Sequence, residues 1–151
     1  DSVRSTAPFN ANEMVYRLGE VQFESDYYHR FISEPDVIVG NQVALWLARS
    51  GLYQSVSQPN MRGPSKQVLQ IVVTKLFGDF RPGQTPAAVM EMQFVLVETK
   101  AVRPEVVLET TLSSRVDIDA QDPQLLAQGL GQAMTNILTQ LADQLAENPP
   151  Q

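Results

Sequence analysis

The sequence predicts an α+β fold, a two-layer sandwich in which a mainly antiparallel sheet carries two helices on one face. Three long segments within residues 66–118 are rich in β-branched and aromatic residues and are separated by short turn sequences, which indicates an antiparallel meander. Two further segments repeat apolar residues at spacings of three and four, the pattern of helices with one buried stripe. Because each helix has a single apolar stripe, both pack most economically on one face of one sheet.

Composition bounds the class of protein before any motif is considered. The chain has 151 residues, which fits a single domain over 1–151, and a formal net charge of −6. A nucleic-acid binder or a protein held electrostatically on anionic lipid would need a basic face, so both classes are disfavoured. The chain has no Cys, which excludes disulfides and Cys-ligated zinc.

The N-terminal half predicts short strands around one helix. The helix should run over about 34–50, because Ser33 suits the N-cap, Pro35 the first turn and Gly51 the position after the last turn. The strands are expected at 2–5, 14–18, 21–24 and 52–57.

The C-terminal half predicts the meander and a second helix. The strands are expected at 66–80, 86–102 and 106–118, with a turn at 81–84. The helix should run over 122–147, with Asp122 as its N-cap and Pro123 at its first position.

Strand alternation and helix composition predict the packing of particular residues. Met90 and Met92 should fill the core, and Val106 should share a face with Leu108 and Leu112. Trp46 could anchor a partner, but it is expected to be buried or half-buried in the core. The glycines at 129 and 131 each cost a helix about 1 kcal/mol relative to Ala, so a close packing contact is expected at both.

Few residues suggest catalysis or metal binding. His29 is the only histidine, and no nucleophile motif accompanies it, so a structural or solvent-facing role in a loop is expected. Asp117, Asp119 and Asp122 offer a carboxylate cluster for calcium, but the central Gly and distal Glu of an EF-hand loop are missing. A strand end leading to a helix N-cap explains them better. We therefore predict no catalytic, cofactor-binding or metal-binding residue.

One cluster combines aromatic and basic side chains near the first helix. It could contact a partner protein or a lipid, or its rings could simply pack with the arginine heads at the surface. Its members are Tyr16, Arg17, Tyr27, Tyr28, Arg30 and Phe31.

The block that contains this cluster resembles the ABC-type transport auxiliary lipoprotein family, which includes the PqiC lipoproteins and the lipoprotein components of Mce- and Mla-type lipid transporters. The similar segments are PFNANEMVYR at 8–17, YYHRF at 27–31, the Glu-Pro step at 34–35 and SGLY at 50–53. Phe31 stands where the family often has Trp. The long strands and the terminal helix match the family layout without a sharp motif.

The resemblance implies a periplasmic protein attached to the outer membrane through an N-terminal lipid. It implies that a signal peptide and a lipidated Cys precede Asp1 in the native protein. It also implies an accessory role without enzymatic activity or cofactor, beside an Mce-domain substrate-binding protein and an ABC permease and ATPase. Whether the chain forms a homo-oligomer is left open.

Two other functions remain open at this point. A stand-alone lipid- or small-molecule-binding module would need an apolar cavity between the helices and the sheet. An enzyme would have to use His29 or the three carboxylates of residues 117–122.

Overall fold

The computed structural model describes residues 2–5, 13–19, 22–30, 35–50, 67–99 and 103–147. The elements in these ranges are β1 (Ser2–Ser5), β2 (Glu13–Arg17), β3 (Phe23–Arg30), α1 (Pro35–Ser50), β4 (Gln67–Asp79), β5 (Ala87–Thr99), β6 (Pro104–Asp117) and α2 (Pro123–Glu147). The strand expected at 52–57 and the caps Ser33 and Gly51 lie outside the described residues.

The six described strands form one sheet with the order β3-β2-β4-β5-β6. Strand β1 also pairs with β4, at residues 70–73, whereas β2 pairs with β4 at residues 78–79. Strands β4, β5 and β6 pair antiparallel along their length, as the meander prediction required. Strands β1 and β2 both run parallel to β4, so the sheet is mixed. The sequence of a short strand does not reveal whether it pairs parallel or antiparallel, because a parallel pairing depends on long-range packing.

Both helices lie on one face of this sheet, so the predicted two-layer architecture is confirmed. One apolar cluster joins side chains of both helices to the facing side chains of β4, β5 and β6. Met90 and Met92 are buried in that cluster, and Trp46 packs against it partly buried, as expected. The opposite face of the sheet is called the open face below; it carries Glu91, Gln93 and Glu109.

Two predictions for the strands were wrong. Val106 does not share the helix-facing side with Leu108: a bulge shifts the register between Leu96 and Val97, so Val106 pairs with Val97 and is 56% exposed. The extra residue of a bulge reverses which face the preceding side chains occupy. The backbone of His29 lies in β3 rather than in a loop, because β3 extends well beyond the expected 21–24.

The start of α2 follows the predicted cap. The Asp122 carboxylate accepts a hydrogen bond from the backbone N–H of Gln124 at 2.8 Å, and the Asp122 carbonyl accepts one from Leu126 at 2.9 Å. The strand therefore leads through an exposed loop into a capped helix, which accounts for the position of Asp122.

The two glycines of α2 differ in their surroundings. A Cβ on Gly129 would lie 2.8 Å from the side chains of Ala88 and Ile118, so the helix approaches the sheet closely there, as predicted. A Cβ on Gly131 would meet nothing within 4 Å, so the same prediction was wrong for Gly131, which faces outward.

Candidate functional site

Strand β2 belongs to the segment 8–17 that resembles the auxiliary lipoprotein family, and it is called the family-like strand below. It pairs with β4 at the carboxyl end of β4. Tyr16 and Arg17 stand beside Gly78 and Asp79 in the parallel register, and the backbone N–H of Phe80 donates to the Arg17 carbonyl at 2.8 Å. The Tyr16 ring stacks on Phe80 with centroids 4.9 Å apart. This stack partly buries Tyr16 and fixes the junction between the two halves of the chain.

Gly78 makes the close approach at this junction possible. A Cβ there would lie 2.9 Å from Cζ of Phe80 and 3.0 Å from Cδ2 of Leu126 in α2. Any larger residue at 78 would therefore push the Phe80 ring away from its place beside Tyr16.

On the open face, Arg17 and Phe77 hold an exposed aromatic ring. Cζ of Arg17 lies 5.8 Å from the centroid of the Phe23 ring, within cation–π range. The Phe23 ring meets buried Phe77 edge-on at 5.2 Å. The Arg17 Nε–H also donates to the Gly19 carbonyl at 3.1 Å, which orients the guanidinium. Phe23 is nevertheless 40% exposed, so a large apolar side chain is presented to the surroundings.

Next to these rings, Asp79 forms a buried ionic cluster. Its carboxylate is 1% exposed and accepts hydrogen bonds from Nε and Nη2 of Arg81, both at 2.8 Å, and from Nη1 of Arg115 at 2.6 Å. Nη2 of Arg115 also donates to the Thr85 carbonyl at 3.3 Å. These contacts tie the 80–86 loop to β6.

The two guanidinium groups also determine the charge state of this carboxylate. Hydrogen bonds from Arg81 hold the pKa of Asp79 well below its usual range, and the hydrogen bond and positive charge of Arg115 act in the same direction against the opposing effect of burial. A carboxylate held ionised in this way is a weak base, so it suits a structural brace better than a proton acceptor.

The Tyr-Tyr-His segment of the family-like block coincides with an irregularity in strand pairing. Glu13 pairs with Arg30 but Met14 pairs with Asp26, so Tyr27, Tyr28 and His29 fall within a break of the β2–β3 register. Such irregularities turn side chains away from the regular pleat and are over-represented next to functional sites.

The predicted partner-contact cluster is thus placed only in part. Tyr16 and Arg17 both lie at the junction of β2 and β4, on opposite faces of the sheet. For Tyr27, Tyr28 and Arg30 the described part is the backbone, which lies in β3. Phe31 lies outside the described residues.

Sequence reasoning missed Phe23, Phe77 and the Asp79 cluster. The segment Asp-Phe-Arg-Pro-Gly at 79–83 carries a local signal, since an acid two residues before an arginine at a turn can pair with it. Gly83 has φ +78°, which fits a type II turn after Pro82. The third member, Arg115, is 36 residues from Asp79 and carries no local signal.

Groups that could bind a metal are not evident in the described part of the chain, where no three His, Cys, Asp or Glu residues are suitably placed. Asp117, Asp119 and Asp122 are all exposed at the end of β6 and in the following loop. Within the same residues, no helix is both long and apolar enough to cross a membrane.

Comparisons with known proteins identify the fold class. Protein XCC0632 from Xanthomonas campestris, described as a member of the family DUF330, matches with a TM-score of 0.80 and 18% identity, covering 93% of this chain and 81% of that one. An uncharacterised protein matches with a TM-score of 0.68 and 21% identity, over 93% and 88% of the two chains. The hypothetical protein CT253 from Chlamydia trachomatis matches with a TM-score of 0.59 and 8% identity, covering 93% of this chain and 95% of that one.

These likenesses establish a shared two-layer α+β fold and nothing further, because the sequence identities are 21% or lower. No family model matches the chain, and no curated protein matches it.

Proposed function

We propose that this protein is a non-enzymatic accessory lipoprotein of an ABC- and Mce-type system that moves lipids or other hydrophobic compounds between membranes. It acts in the periplasm from a lipid anchor on the outer membrane, beside an Mce-domain substrate-binding protein and an ABC permease and ATPase. The starting point is the resemblance of residues 8–53 to the auxiliary lipoprotein family.

The observation that carries the proposal is the exposed ring of Phe23, held by a residue of the family-like strand. Arg17 covers one side of Phe23 and Phe77 packs against it in a T-shaped pair, so the ring stays in place while 40% of the residue remains exposed. Fixed aromatic and arginine side chains are the residues most often found at energetic centres of protein interfaces. The pair therefore suits binding of a partner protein.

The chemistry of the Asp79 cluster supports an accessory role rather than catalysis. Among the side chains whose burial the structure describes, Asp79 is the one fully buried charged group, and both of its oxygens accept hydrogen bonds from arginine. Such a carboxylate stabilises the end of the sheet that carries Arg17 and Phe23, and it has little capacity to take up a proton.

Association in the native membrane tests this proposal. The lipid-anchored protein, tagged at its C-terminus, should copurify with the Mce-domain protein and the permease after mild detergent extraction. An unrelated outer-membrane lipoprotein with the same tag is the control. Recovery of the transporter subunits at the control level would contradict the proposal.

Native mass spectrometry of the same preparation distinguishes the accessory role from a stand-alone lipid-binding module. The accessory role predicts a complex with transporter subunits. A bound lipid mass on an isolated monomer, without those subunits, would favour the stand-alone module instead.

A further inference from the structure

Strand β6 lies at one edge of the sheet as far as the structure describes it. Among the strands that the structure describes, β6 has β5 as its single neighbour. Pro104 and the bulge before Leu108 distort the beginning of β6, so its regular part is residues 108–117. A long regular edge presents a row of backbone donors and acceptors on which another strand can be added.

The charges along this edge select the strand that fits it. The regular part contains Glu109 and Arg115 on the open face, three residues to either side of Leu112. If a second copy of β6 pairs antiparallel about Leu112, Glu109 of each copy lies directly opposite Arg115 of the other. A parallel pairing in register would instead place each charge beside its own kind.

Both charged groups keep hydrogen-bonding capacity for this contact, although in the monomer Arg115 leans toward Asp79 on β4 and Glu109 toward Gln93 on β5. Arg115 is 40% exposed, and its bonds to Asp79 and to the Thr85 carbonyl use two of its five N–H donors. Glu109 is exposed, and its carboxylate accepts one hydrogen bond, at 3.3 Å, from Gln93.

The other opposed positions in this register are also compatible. Thr111 lies opposite Ser113 on the open face, and these are hydroxyl side chains that can hydrogen-bond across strands. On the helix face Leu108 lies opposite Val116, so apolar side chains meet apolar side chains.

Helix α2 does not oppose such a pairing. It packs over β5 and β6, and the Asn136 side chain donates to the Ser114 hydroxyl at 3.0 Å. An antiparallel β6 pair brings the two copies of α2 onto the same layer. Residues 123–142 include no charged side chain, so the two helices approach without repulsion between like charges.

We propose that two copies of this chain associate through antiparallel pairing of their β6 strands about Leu112, which extends the sheet across the dimer. The inference rests on the edge and its charges and does not depend on the transport role.

Cysteine cross-linking tests the register, and the absence of Cys from residues 1–151 provides a clean background. The exposed residues Thr111 and Ser113 are replaced in separate proteins, T111C and S113C, that carry tags of different size. A mild oxidant should give a reducible heterodimer when the two are mixed, because these positions face each other across the proposed pair. A Gln70→Cys protein mixed with S113C is the control. Gln70 is exposed to solvent like Ser113, but it lies on β4, an inner strand that the proposed pair does not bring next to β6 of the other copy.

Charge reversal tests the interface in solution. The folded protein should be dimeric by light scattering, and Glu109→Lys should weaken its dimerisation roughly tenfold or more, because two ionic pairs become like-charge pairs. Glu147→Lys, with the same charge change at the end of α2, should leave the dimer intact. A monomer at all concentrations, or a dimer whose cross-linking does not exceed the Gln70 control, would overturn the proposal.

Discussion

The two faces of the sheet are organised by different interactions. On the helix face most of the side chains that meet α1 and α2 are apolar, and Val73, Met92 and Phe94 are among those that are fully buried. On the open face polar side chains engage one another: Asp79 with its two arginines, and Glu91 with Thr74 and Lys75. One face thus holds the layers together, while the other orders polar groups and rings at the surface.

The magnitudes show how this division distributes stability between the two faces. Burying one large apolar side chain contributes about 1.5–3 kcal/mol, whereas an exposed ion pair contributes about 0–1 kcal/mol. Stability therefore resides mainly on the helix face. Residues of the open face can serve contacts with other molecules at little cost to folding.

The largest expected effect is loss of a ring from the helix face. Phe94→Ala should lower the free energy of unfolding by about 4 kcal/mol, because it removes a fully buried ring and leaves a cavity. Val95→Ala, at the next residue and on the half-buried open face, should cost about 1 kcal/mol. Urea unfolding measures both. Equal costs would contradict the difference between the faces.

Replacing the two glycines of α2 by alanine should change the stability of the protein in opposite directions. Gly129→Ala should destabilise by about 1–3 kcal/mol, because its new methyl group would collide with Ala88 and Ile118. Gly131→Ala should stabilise by about 0.5–1 kcal/mol, since Ala favours the helix and its methyl group enters open space. Thermal unfolding of the two variants distinguishes the cases. A stabilising Gly129→Ala would mean that α2 does not contact the sheet there.

A smaller effect is expected on the open face from Asp79→Asn. The variant leaves Arg81 and Arg115 without their carboxylate, but both arginines reach solvent, so the cost should be about 1–2 kcal/mol at pH 7. Glu91→Gln is the control. It should cost less, because Glu91 and its partner Lys75 are more exposed.

The lowered pKa of Asp79 predicts that the stability of the protein depends on pH. Because folding lowers the pKa of Asp79, its stabilisation is fully present above the unfolded pKa of about 3.9 and is lost as pH falls below that value toward the folded pKa. Between pH 5 and pH 2 the wild type should therefore lose more stability than Asp79→Asn. Parallel losses, measured by urea unfolding across this range, would show that the cluster does not hold the carboxylate ionised.

Much of this architecture could be predicted from local patterns. The meander strands alternate apolar and polar residues, α2 has a cap and a continuous stripe, and both yielded nearly correct boundaries. The parallel partners of β4, the bulge that exposes Val106 and the contact of Arg115 with Asp79 were not predictable, because each depends on residues far apart in the chain. Of the predicted contact cluster, Arg17 is the member for which the structure describes a contact with an exposed ring.

The most direct test of the central claim is the affinity of the purified Mce-domain protein for three forms of this chain. Phe23→Ala should weaken binding by about tenfold or more, as expected for an aromatic anchor, while lowering stability by only about 1 kcal/mol. Leu45→Ala removes a side chain of similar exposure, 43%, from α1 and should bind like the wild type. Unchanged affinity of Phe23→Ala, or an equal loss in both variants, would contradict the assignment of the contact surface to Arg17 and Phe23.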